Sequence, residues 1–146
     1  MPTRTARVAW NGTLQEGSGQ VELTSSGVGT YVVSFPKRAA DDAQGTTSPE
    51  ELIAAAHAAC YAMSLSNEVA KAGGTPQSLD VSAAVTLDKD AERGGFAITE
   101  IALKVEGEVE GLDAAGFEKA AQTAKSGCPV SKALTGTTIT LDASLA

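Results

Sequence analysis

Thr47-Ser48-Pro49-Glu50-Glu51-Leu52-Ile53-Ala54-Ala55-Ala56-His57-Ala58-Ala59-Cys60 is the stretch that decides how this chain folds. Ser48 is a helix N-cap, Pro49 suits the first helical position, and Glu51 completes the S-x-x-E pattern of a capping box. Leu52, Ile53, Ala56, Ala59, Cys60 and Met63 then fall on one face at helical spacing. Gly73-Gly74 stops the run. At 1.5 Å per residue the helix is about 36 Å long. That is more than a small domain covers by itself, which suits a central helix shared between chains.

Upstream, the chain reads as strands. Thr5 to Trp10 alternates, Asn11-Gly12 is a hairpin signal, Gln20 to Thr24 is a short strand, and Ser25-Ser26-Gly27 is a turn. Tyr31 to Phe35 is a third strand ended by Pro36, and Ala39 to Thr47 is a loop. Downstream, Leu79, Val81, Ala83, Val85 and Leu87 alternate strictly, as in a half-buried strand. Phe96 to Glu108 is a second long strand whose apolar register slips between Ile98 and Ile101, which predicts a bulge near Thr99. Asp113 caps a helix over Ala114 to Lys125, with Phe117, Ala120, Ala121 and Ala124 inward. A helical turn from Pro129 to Leu134 and a strand through Thr137, Ile139 and Leu141 finish the chain. The order βββ-α-ββ-α-β is α+β, and with no repeat or linker, residues 1–146 read as a single domain.

Composition narrows the function. The residues are 42% hydrophobic but only 4% aromatic, so the core is built in thin layers of Ala, Val, Leu and Ile. Thin layers favour completion by a partner chain. A net charge of −7 without a basic cluster argues against nucleic acid and against anionic membrane surfaces. There is no membrane-spanning apolar run and no secretory signal core, so a soluble, cytoplasmic protein is expected. One histidine, two cysteines and no CxxC spacing do not make a structural zinc site.

The two thiols, Cys60 and Cys128, lie 68 positions apart. Such a pair can store two electrons as one disulfide, and in the cytosol that bond would be transient and catalytic. Cys60 reads equally as a small core residue, since free cysteine is often buried. As a reactive thiol it would sit at the floor of an apolar pocket, which raises its pKa and calls for a cationic partner. Arg38 and His57 are the candidates, although a lone helical histidine is commonly structural. Cys128, in Gly127-Cys128-Pro129, is either an N-cap whose helix terminus lowers its pKa, aided by Lys125 and Lys132, or only part of a tight helix break. Glu51 is taken by the cap, which leaves Glu50 free to pair with Arg38. About 15 Å of straight helix separates Glu50 from Cys60, so one site holding both needs Arg38 as a bridge or a Glu50 from a second subunit.

The stretch from Thr47 to Cys60, with Gly94-Gly95-Phe96-Ala97-Ile98-Thr99 and Ala124-Lys125-Ser126-Gly127-Cys128-Pro129-Val130-Ser131, resembles the osmotically inducible protein C and organic hydroperoxide resistance (OsmC/Ohr) family. The resemblance covers essentially the whole chain, and His57 favours the OsmC branch, since the other branch usually has Tyr there. It implies an intertwined homodimer with long central helices between two curved antiparallel sheets and two active sites at the interface. It also implies thiol-dependent reduction of organic hydroperoxides. By position Cys60 resembles the peroxidatic cysteine, Cys128 the resolving one, Glu50 the carboxylate that holds an arginine, and Arg38 that arginine. No metal, flavin or haem is implied, and a lipoyl-type dithiol is the expected reductant. A redox sensor using the same disulfide, or a carrier of an apolar small ligand, are the competing readings.

Overall fold

The computed structural model describes all 146 residues. The chain divides into two compact units, Met1–Leu52 and Ile53–Ala146, whose boundary lies inside the long helix. No helix is long and apolar enough to cross a membrane.

The first unit is a three-stranded antiparallel sheet of β1 (Arg7–Asn11), β2 (Ser18–Glu22) and β3 (Thr30–Val33), in that order. Asn11-Gly12 does begin the first connection, with Gly12 at φ +94°. The strands re-pair only at Ser18, however, so the connection is a longer loop and not a two-residue turn. The third strand also stops earlier than expected. Phe35–Arg38 forms a short helix, α1, because the Ser34 hydroxyl accepts from the Lys37 N–H and Pro36 supplies a helical φ in the first turn. That turn carries Arg38.

The long helix, α2 (Pro49–Lys71), starts where expected: the Glu51 N–H donates to Ser48 Oγ at 3.1 Å. The Glu51 carboxylate accepts from the Thr47 hydroxyl at 2.8 Å, a variant of the capping box. Its buried stripe differs from the expected one. His57, Tyr61, Leu65 and Val69, spaced four apart, are buried, whereas Ala56 and Ala59 are exposed and Met63 is 74% exposed. In so alanine-rich a segment the large side chains decide which face turns inward, and these four include the largest.

In the second unit the sheet order is β4 (Thr75–Lys89), β5 (Phe96–Glu110), β6 (Thr138–Leu145). β4 and β5 pair antiparallel, and the register passes from Thr86 opposite Glu100 to Leu87 opposite Ile98, leaving Thr99 as the extra residue of the bulge. β6 runs parallel to β5, unlike the antiparallel sheets expected. The connection through α3 (Ala114–Gly127) and α4 (Pro129–Ala133) is long enough to return the chain in the same direction. Ile101, Leu103 and Val105 of β5 are buried, and Leu103 and Val105 form the core with Phe117, Ala120, Ala121 and Ala124 of α3 and Tyr61, Leu65 and Val69 of α2. Gly107 is part of this fit: a Cβ there would lie 2.8 Å from Phe117 Cζ. Cys128 belongs to the same core cluster, and Cys60 packs against it.

Candidate active site

The backbone places the two thiols side by side. Cys60, near the middle of α2, and Cys128, between α3 and α4, have their sulfurs 3.2 Å apart, and both are reduced. Cys128 is fully buried, while Cys60 keeps partial access. Cys128 caps α4, but its sulfur makes no full capping hydrogen bond.

The pair shares its protons unequally. Burial pushes the Cys60 thiol up; the Val130 N–H pulls it back, the adjacent Cys128 sulfur raises it further, and the Ser64 hydroxyl lowers it slightly, so the net direction is up. Burial opposes ionisation of Cys128 too. There the Ser131 N–H, the Cys60 thiol, the Ser131 hydroxyl and the Val130 N–H together outweigh it, and its pKa falls. The expected help from Lys125 and Lys132 is not among these causes. The deeper sulfur thus holds charge more readily, and the accessible one needs a cation to become the thiolate.

The cation candidates separate clearly. His57 lies one turn before Cys60, but its Nε2 contacts Ser131 Oγ at 2.7 Å, and burial lowers its pKa, so it is neutral. Arg38 is held by Glu50, as expected. Nη2 donates to Oε1 at 2.6 Å, and Nε donates to Oε1 and Oε2 at 3.1 Å each. The Glu50 side chain is only 12% exposed and that of Arg38 32%. Within the first unit, Arg38 also borders a cavity of about 140 Å³ lined by Trp10, Leu14, Val33, Phe35 and Pro49. Ser34 and Thr47 line it too, so one guanidinium lies at the edge of a mainly apolar hollow.

Sequence reasoning overlooked Ser131 and Ser64. Both were within reach of it, one helical turn from Cys128 and Cys60 respectively.

The family described as OsmC-like protein matches residues 41–142. The chain is also 48% identical over 134 residues to the peroxiredoxin OsmC of Escherichia coli K12, an alignment that spans 91% of this chain and 90% of that protein. The chain belongs to the OsmC-like family. A further relative, the organic hydroperoxide resistance protein OhrA of Bacillus subtilis, is 37% identical over 90 residues, or 62% of this chain and 61% of OhrA. The crystal structure of OhrB from B. subtilis superposes with a TM-score of 0.75 at 29% identity, covering 95% of this chain and 97% of OhrB. The α+β architecture here is thus that of the OsmC and Ohr proteins.

Proposed function

We propose that the protein is a thiol-dependent peroxidase that reduces organic hydroperoxides to alcohols and so protects against oxidative stress. The observation that carries this reading is the 3.2 Å approach of two reduced thiols, one accessible and one buried, in a chain 48% identical to a peroxiredoxin. Access selects Cys60 as the attacking sulfur. Its thiolate attacks the distal peroxide oxygen, the O–O bond breaks, and the leaving alkoxide takes a proton to become the alcohol. Cys60 is then a sulfenic acid, which condenses with Cys128 to a disulfide and releases water. A dithiol of the lipoyl type reopens the disulfide by exchange.

Arg38, oriented by Glu50, is the cation that brings the Cys60 pKa down and stabilises the alkoxide. The apolar cavity beside it suits the organic group of the substrate. Glu50 lies about 15 Å up the helix from Cys60, so the pair is best supplied by a second copy. A homodimer of this kind would also cover large exposed apolar side chains: Val8, Trp10, Leu14 and Val32 in the first unit, Met63 and Phe96 in the second. Residues 1–146 then form one domain that gives its thiols to one site and its Arg38–Glu50 pair to the other.

Turnover of cumene hydroperoxide with a dithiol tests the reading. Cys60→Ser should be inactive, and so should Arg38→Ala. Mixing and refolding the two inactive chains should restore activity, because a mixed dimer then contains one complete site. No activity in the wild type would refute the enzyme, and no restoration on mixing would refute the shared site.

A further inference from the structure

Two rungs tie α2 to the Cys128 turn. His57 and Cys60 are one turn apart on α2, and Cys128 and Ser131 are one turn apart at α4. The sulfurs form one rung and His57 Nε2 with Ser131 Oγ, at 2.7 Å, the other. His57 is 0% exposed and Ser131 5%, and His57 Nδ1 has no partner. The unpaired nitrogen selects the tautomer. With the proton on Nδ1, an N–H would be buried without an acceptor, and Ser131 would turn its one proton to Nε2. With the proton on Nε2, His57 donates to Ser131, and the Ser131 proton is free for another acceptor. The acceptor one turn away is the Cys128 sulfur at the cap of α4, whose charge the Ser131 hydroxyl favours.

We propose that His57 and Ser131 are positioning residues for the resolving step: His57 donates from Nε2 to Ser131, and the Ser131 hydroxyl presents its proton to Cys128, holding that sulfur as the thiolate that closes the disulfide. This rests on the two-cysteine reading above. In the step, the Cys128 thiolate attacks the Cys60 sulfur, an S–S bond forms and the S–O bond of the sulfenic acid breaks. The departing hydroxide takes up the proton that Cys128 lost on ionising, and leaves as water. Burial keeps His57 uncharged, so it serves as a fixed donor and not as a base. The titratable group acting on Cys128 is Cys60; the Tyr61 phenol, kept protonated by burial and then by the nearby Glu118 and Cys128, donates to the Ala121 carbonyl at 3.1 Å.

A signature follows that simple loosening of the core would not produce. Charge drawn to Cys128 is withheld from Cys60 while both are reduced. Removing the donor should therefore slow resolution without slowing the attack on peroxide.

The experiment uses the full chain as wild type, Ser131→Ala, Ser131→Thr, His57→Leu and His57→Gln. Each is mixed with one equivalent of cumene hydroperoxide and quenched over time. Cys60 sulfenic acid is trapped with dimedone, and both this adduct and the disulfide are measured by mass spectrometry. In Ser131→Ala, disulfide closure should be roughly tenfold slower, the loss expected for one hydrogen bond to a charged sulfur. Trappable sulfenic acid should accumulate, and Cys60 should oxidise as fast as in wild type or faster. His57→Leu should behave alike. Ser131→Thr and His57→Gln, which retain a donor, should close within roughly threefold of wild type. Closure at the wild-type rate in Ser131→Ala, or equal slowing of both steps in Ser131→Ala and Ser131→Thr, would overturn the inference alone. Failure of the wild type to form Cys60 sulfenic acid would overturn the peroxidase reading, and this inference with it.

Discussion

Glu50→Gln keeps the size of the side chain and removes its charge. Glu50 accepts three contacts from Arg38, at 2.6, 3.1 and 3.1 Å, through both carboxylate oxygens. A glutamine keeps one acceptor oxygen and turns an NH₂ group towards the guanidinium, so at least one charge-assisted bond is lost. Such bonds are worth about 1.5–3 kcal/mol. Arg38 is 32% exposed, and solvent weakens the pair, so about 2 kcal/mol is the appropriate figure. If Arg38 must be held in place to stabilise the leaving alkoxide, that loss appears in the transition state. It corresponds to about a 30-fold fall in kcat/KM for an organic hydroperoxide. Initial rates with cumene hydroperoxide and excess dithiol measure it. Arg38→Lys should also be impaired, because a lysine cannot make the forked contact with Glu50. Wild-type kcat/KM in both Glu50→Gln and Arg38→Lys would refute the assignment of this ion pair to catalysis.

Acid should destabilise the fold through His57. Burial lowers its folded pKa below the ordinary histidine value of 6.5, so at lower pH the unfolded chain binds a proton that the native chain does not. That contribution to stability is present above about pH 6.5 and is lost as pH falls through that range; urea melts between pH 7.5 and 5 should show a fall that His57→Gln lacks. Gly107→Ala should cost about 2 kcal/mol, since its Cβ would press on the buried Phe117 ring at 2.8 Å and on Leu79 Cδ2 at 3.1 Å. Thermal unfolding measures it, and an unchanged midpoint would mean that the helix gives way freely.

Much of this architecture is legible in the sequence because strong local signals agree with the tertiary fold. The inward face of α3, the Thr99 bulge and the Ser48-Pro49 helix start each come from a pattern of capping, periodicity or register that packing then uses. The readings that differed lie where local signals are weak. The alanines of α2 give little contrast between faces, so helical spacing alone points Met63 inward, whereas in the fold it is exposed and Tyr61 fills the core. The parallel pairing of β6 with β5 is a long-range choice that no local pattern encodes. At the candidate site, the cysteines and the Glu50–Arg38 pairing were readable as residue types with chemical needs. Ser131 is legible as a neighbour of Cys128 one turn away, but its contact with His57 is not, because the two residues lie 74 positions apart.

The most direct test of the central claim is the stoichiometry of a single turnover. Fully reduced protein is given one equivalent of cumene hydroperoxide without any reductant, and the organic product and the protein are analysed together. The account predicts one cumyl alcohol per chain and one intramolecular Cys60–Cys128 disulfide, with Cys60→Ser forming neither. Unconsumed peroxide, or a protein that ends with both thiols free, would contradict it.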